Sequence, residues 1–162
     1  NTTCTLAVTG LIAEKPMMAP SVYLDSSVLL RKLFNQPHAL SPWQNWEQGY
    51  ISKIGRVECW RALDRERLAG RLRDIEIAQL SRLLEEYLLT LNLVDINDNV
   101  LLRASWNFPL VVGALDSIHV ASALIVKARI LESPLFLTHD VRQGMAAMSV
   151  GLETRGFDLP AS

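Results

Sequence analysis

The chain has 162 residues, 49% of them hydrophobic and 20% charged, with 16 basic and 17 acidic side chains for a formal charge of -1. That size and balance predict one domain able to bury a core without staples, and they exclude both a disordered chain and a globally basic coat for polyanions. The only cysteines, Cys4 and Cys59, form neither a zinc knuckle nor a disulfide framework, so a reducing, cytoplasmic compartment is expected, and no apolar run is long enough to span a membrane.

Residues 1–17 do not continue into the pattern that follows and are expected to be a flexible or extraneous arm. The alternative is an extra edge strand over Thr5–Thr9. Leu6–Ile12 is short and has no basic residue before it, so a signal peptide is not expected. The domain is therefore read as residues 18–162. Val22–Asp25 reads as a buried strand, after which Ser26 or Ser27 can cap a helix reaching Phe34. Pro42 is expected to start a helical turn holding Trp43 and Trp46, stopped by Gly49, with a short strand over Tyr50–Ser52. Helices follow from Ile54 to Leu68 and from Asp74, where Ile77, Leu80, Leu84, Tyr87 and Leu91 recur at helical spacing. Leu93–Asp95 reads as a strand, and Asn97 as the cap of a helix to Trp106. Asp116 or Ser117 opens a helix to Ala128, Leu135–Thr138 is a strand, Val141–Met148 a helix, and Leu152–Gly156 the last strand candidate. Short strands separated by helices predict an α/β class domain, with a mainly parallel central sheet flanked by helices in three layers.

Four acids stand out. Asp25 lies at the C-terminal end of an apolar strand, where ligands of open α/β sheets bind, and Asp140 repeats the arrangement after Leu135–Thr138. Each can equally cap its helix. Glu58 sits near the start of a helix, and Asp116 opens one that is otherwise apolar. If Asp25, Glu58, Asp116 and Asp140 converge, their repulsion calls for a cation, and hard oxygen ligands suit Mg2+ or Mn2+. Spacing alone does not establish convergence.

The segments VYLDSSVLLRKL, SKIGRVECWRAL, GALDSIHVASAL and LFLTHDVRQGMAAMSVGLE each carry one of these acids, in order. Together they make the chain resemble PIN-domain ribonucleases, most closely the VapC toxins of toxin–antitoxin pairs, over roughly residues 21–157. The resemblance implies metal-dependent hydrolysis of RNA phosphodiester bonds with no covalent protein intermediate. It implies Asp25, Glu58, Asp116 and Asp140 as catalytic and metal-holding residues, with Ser27 and Thr138 orienting acids or water. It also implies a homodimer and a cognate antitoxin, with operator DNA bound only through that antitoxin. Many relatives have a basic residue and a threonine just before the Asp116 position. This chain instead has Val112-Gly113-Ala114-Leu115, and Gly113 is expected to permit a different loop path.

His119 lies three residues after Asp116 and so on nearly the same helix face, where a ligand role competes with packing in an apolar helix. His139 is a loop candidate for phosphate contact. Seven basic residues fall between 53 and 73, and Arg56 and Arg61, bracketing Glu58, are the first choices for substrate RNA. Of the four tryptophans, Trp43 and Trp46 are best placed to stack on bases. With Leu29, Leu30, Leu33 and Phe34, the same pair is expected to contribute to an apolar groove for a partner helix. A haloacid-type phosphatase is excluded by Ser27, since that nucleophile motif needs an aspartate there. An RNA-processing PIN nuclease without an antitoxin and a catalytically silent interaction domain are the open alternatives.

Overall fold

The computed structural model describes residues 19–41 and 43–157. The arm over 1–17, the Thr5–Thr9 strand and Pro42 lie outside the described residues. In chain order the elements are β1 (Ala19–Leu24), α1 (Ser26–Leu33), β2 (Trp46–Ser52), α2 (Lys53–Leu68), α3 (Asp74–Leu89), β3 (Asn92–Val94), α4 (Asp98–Ala104), α5 (Ala114–Ile130), β4 (Leu135–Leu137), α6 (Val141–Ser149) and β5 (Thr154–Arg155). The strands pair in the order β3-β2-β1-β4-β5, and every pairing is parallel. Parallel neighbours need crossover connections, which the helices supply, and they cover both faces of the sheet.

Alternation along β1 divides the core between those faces. Val22 and Leu24 join Leu29 and Leu33 of α1, Cys59 and Leu63 of α2, and Leu84 and Leu88 of α3. Tyr23 points the other way, stacking on Phe136 with ring centroids 5.4 Å apart, among Val120 and Ala123 of α5 and Ala146 and Ala147 of α6. The small alanine side chains let α5 and α6 lie close over β1 and β4. Each fully buried large side chain here contributes roughly 1.5–3 kcal/mol relative to exposure.

Several boundaries differ from the sequence reading. β2 begins at Trp46, not at Tyr50, because Ala19, Ser21 and Val22 of β1 pair with Trp46, Gln48 and Gly49. Trp46 is thus a buried strand residue and not part of a helical turn. The first helix is capped by Asp25 itself, not by a serine. The α5 helix starts two residues before Asp116, with Gly113 as its N-cap. That glycine has φ -69°, open to any residue, so it supports no unusual loop path. Its value is space, since a Cβ there would come within 3.3 Å of Asp116 Oδ2. Among the described residues no helix is long and apolar enough to cross a membrane.

Candidate metal centre

The strand order places β2 and β3 on one side of β1 and β4 and β5 on the other. The C-terminal ends of β1 and β4 therefore bound a topological switch point, where open parallel sheets leave a crevice. Asp25 leaves β1 into this crevice and caps α1, its Oδ2 accepting from the Ser27 backbone N–H at 3.0 Å. Capping occupies Oδ2 and leaves Oδ1 toward the crevice, so the capping role does not exclude a ligand role. Asp140 leaves β4 in the same way and caps α6, accepting from the Gln143 N–H at 3.0 Å. It is exposed at the rim.

Asp25 is only 4% exposed. Its Oδ2 also accepts from Thr138 Oγ1 at 3.4 Å, and the same hydroxyl accepts from the Asp140 N–H at 3.0 Å. Ser27 Oγ accepts from the His139 N–H at 3.0 Å, tying the exit of β4 to α1. From α2, Glu58 Oε2 lies 2.8 Å from His119 Nε2, which is itself 3.5 Å from Asp25 Oδ1. Ligand atoms of Asp25, Glu58 and His119 all fall within 4.8 Å of one another. Asp116, in the first turn of α5, joins through Gln143, whose side-chain Nε2 donates to Asp25 Oδ1 at 3.1 Å and to Asp116 Oδ1 at 3.4 Å. The crevice thus brings together Asp25, Glu58 and Asp116, with Ser27 and Thr138 bracing Asp25. His119 and Gln143 complete the cluster. The sequence pointed only weakly to the first, through its spacing from Asp116, and not to the second.

Acids outnumber bases in the crevice, where His119 alone of the clustered residues just named is basic. Among the described residues no lysine or arginine is paired with Asp25, Glu58, Asp116 or Asp140. Burial, then Asp140 and Asp25, hold the Asp116 carboxyl above its usual range, against the pull of His119 and Gln143. Burial disfavours a charged His119, but the hydrogen bond it donates to Glu58 and the charges of Asp25, Glu58 and Asp116 prevail and raise its pKa above the usual value. His119 is thus a basic side chain set directly against Glu58 and Asp25. Its Nδ1 lies 3.3 Å from the Tyr23 hydroxyl and 3.4 Å from Ser52 Oγ, both buried. Asp25, Glu58 and His119 form a donor set that fits a divalent cation, with Asp116 joined to Asp25 through Gln143 and Asp140 near enough to act on Asp116.

A pH dependence follows. A histidine with a raised folded pKa adds stability that is complete below its unfolded value near 6.5 and is lost as pH rises through the folded value. Metal-free protein is expected to melt higher at pH 6 than at pH 8. His119→Asn should lower stability at both pH values and remove most of the difference. His139 titrates in the opposite sense, since burial lowers its pKa, so the variant isolates the His119 contribution. Melting curves at the two pH values check this, and an undiminished difference in the variant would exclude His119 as its source.

Other candidates lie elsewhere. Cys59 is fully buried, and burial together with Glu58 and Asp25 pushes its thiol up, away from a nucleophile. The Arg61 guanidinium pairs with Asp64 at 3.0 Å on the surface of α2, while Arg56 is exposed. Most of the nearby basic residues form surface pairs, Lys53 with Asp95, Arg67 with Asp64, Arg71 with Glu66 and Arg73 with Glu76. Trp46 is core, and Trp43 packs edge-on against it and tilted against Tyr87, while Leu29 and Leu33 are buried and Leu30 and Phe34 half-buried, so most of this segment packs inward. Trp106, by contrast, is exposed. A cavity of about 260 Å3 lies apart from the acidic crevice. It lies beneath Leu40 and Trp46 beside His38 and His139, on the α1 face of the sheet, and its apolar floor of Val22, Leu135 and Leu137 does not resemble a cation site.

A parallel three-layer α/β domain with an acidic crevice at its switch point, able to hold a divalent cation, is the class these features define. The PIN domain family profile matches residues 22–146, and the chain belongs to that family. Among solved structures, it is similar to PAE2754 from Pyrobaculum aerophilum, with a TM-score of 0.55 and 18% identity over 91% of this chain and 92% of that one. That likeness concerns the fold. Among curated proteins, none matches the chain in sequence. A PIN domain with clustered aspartate, glutamate and histidine side chains is consistent with metal-dependent nuclease activity.

Proposed function

We propose that this PIN domain is a magnesium-dependent endoribonuclease, with Mn2+ as a substitute, and the toxin of a type II toxin–antitoxin pair of the VapC kind. The observation that supports this most directly is the meeting of Asp25, Glu58 and His119 within 4.8 Å of one another, with Asp116 tied to Asp25 by Gln143 and no lysine or arginine among the described residues paired with these acids. When bound there, the cation supplies charge neutralisation for the scissile phosphate and activation of water. The protein's own contribution is positional. Ser27 and Thr138 fix the Asp25 carboxylate, and the α6 cap sets Asp140 at the rim. Exposed Arg56, with Arg61, meets the phosphate backbone of single-stranded RNA. The chain acts as a homodimer held in check by a cognate antitoxin, through which alone it reaches operator DNA.

Sequencing the ends of cellular RNA after brief induction of this protein, beside its Asp25→Asn form, tests the activity. Cleavage sites unique to the unaltered protein are expected, and sites common to both would remove the nuclease reading. Co-expression with the product of the adjacent small reading frame tests the pairing. A soluble complex and restored growth are expected, whereas cleavage with no such complex would assign the protein to RNA processing.

Arg56→Ala should weaken RNA binding across sequences and lower the slope of log affinity against log salt by roughly one unit. Arg61→Ala should do less, since Asp64 already engages that guanidinium. Binding measured from low to moderate salt decides the matter, and unchanged slopes in both variants would leave these arginines as a solvated helix face.

A further inference from the structure

We propose that Gln143 is the positioning residue of the acidic crevice, its side-chain amide holding Asp25 and Asp116 side by side so that a divalent cation meets a preformed pair. The inference rests on the metal-centre reading for the identity of the ligand. Three observations carry it. Gln143 is 2% exposed, a polar side chain committed to the interior. Its single amide nitrogen donates to two carboxylates from different parts of the chain, Asp25 after β1 and Asp116 on α5. Its Oε1 is buried with no hydrogen-bond partner.

The orphan oxygen is informative. Turning the amide over would aim Oε1 at two carboxylate oxygens and forfeit both bonds, so the negative crevice itself dictates the orientation. A side chain present only to fill space at this position would carry no unsatisfied oxygen, and leucine or methionine would serve. The backbone completes the device. The Gln143 N–H is the group that Asp140 caps, so one residue of α6 contacts three of the four acids. Hydrogen bonds to ligating carboxylates restrict their rotation and lower the repulsion that a cation would otherwise have to offset alone.

Gln143→Leu and Gln143→Met keep volume and remove both donors. Mn2+ affinity, measured by the paramagnetic resonance of free Mn2+, is expected to fall on the order of 10-fold in each. The metal concentration giving half-maximal RNA cleavage should rise by a similar factor, with kcat at saturating metal changed far less. A role in packing alone would leave Mn2+ affinity unmoved. Because a variant can lose its fold, the unaltered protein supplies a second measurement. The Gln143 side-chain NH2 resonances should be protected from exchange and should shift on titration with Mg2+. Parental or higher Mn2+ affinity in variants that melt cooperatively, or NH2 signals indifferent to Mg2+ while the protein binds it, would overturn the proposal alone. Absence of Mn2+ binding by the unaltered protein would overturn the metal-centre reading and this inference with it.

Discussion

Asp25→Asn is expected to reduce metal-dependent RNA cleavage by roughly 10^3-fold or more, the scale of the several kcal/mol that a correctly held cation contributes to a phosphoryl-transfer barrier. Asp25 is the acid on which the others turn. It lies within reach of His119, is braced by Ser27 and Thr138, and is linked by Gln143 to Asp116. Replacing one oxygen by NH2 removes a charge and a cation ligand while retaining an oxygen to accept from the Ser27 N–H. The new amide would face the Gln143 donor, and Gln143 can accept from it through Oε1 only by giving up its bond to Asp116, a local cost. The fold should therefore survive. Loss of one negative charge relieves the repulsion of Asp116 but gives up the attraction for His119, so the metal-free protein should stay close to the parent in stability. Cleavage assays in Mg2+ and Mn2+ beside thermal melts read both halves of this expectation. Activity within tenfold of the parent would remove Asp25 from the centre of the site.

Gly156→Ala is expected to cost about 3 kcal/mol of stability. Gly156 follows β5 with φ +102°, a conformation that L side chains rarely adopt. A Cβ there would come within 2.5 Å of the Thr138 carbonyl oxygen, which is backbone and cannot swing aside. The Gly156 carbonyl also accepts from His139 Nδ1 at 2.5 Å, and the Thr138 N–H donates to the Arg155 carbonyl at 3.1 Å. Pushing β5 away from the exit of β4 would displace Thr138 and with it the brace on Asp25, so Mn2+ affinity should fall along with stability. Gly151 is the control. Its φ is +81° but nothing lies within 4 Å of the added carbon, so Gly151→Ala should cost about 1 kcal/mol, from backbone conformation alone. Urea unfolding of the two variants separates close approach from backbone strain. Equal losses at both positions would reject the close-approach account of Gly156.

Asp25 and Asp140 were legible because each ends an apolar strand and begins a helix, so short-range physics reveals both the strand and the cap. The start of β2 was not. Its first half, Trp46-Glu47-Gln48-Gly49, is exposed at its middle two positions and carries no strand period. Pairing with β1 makes it a strand, and that pairing is not a local property. The Trp43–Trp46 segment was misread for the same reason, since burial against α3 is decided by a neighbour distant in the chain. Gln143 shows the limit most sharply. Three residues after Asp140 on a short helix, it reads as an ordinary polar position, and only the packing of α6 over the sheet turns it toward Asp25 and Asp116.

What the sequence by itself determined is therefore the set of strand–acid–helix units, the parallel α/β class and the four acids. Each of these follows from hydrogen bonding and hydrophobic periodicity within about a dozen residues. Only the tertiary structure decided that three of those acids share a crevice, that His119 and Gln143 stand among them, and that Asp140 sits at the rim. Those facts depend on the strand order β3-β2-β1-β4-β5 and on the pairing of residues far apart in the chain, where the entropy of closing long loops is offset by burial of the whole core and by no local preference.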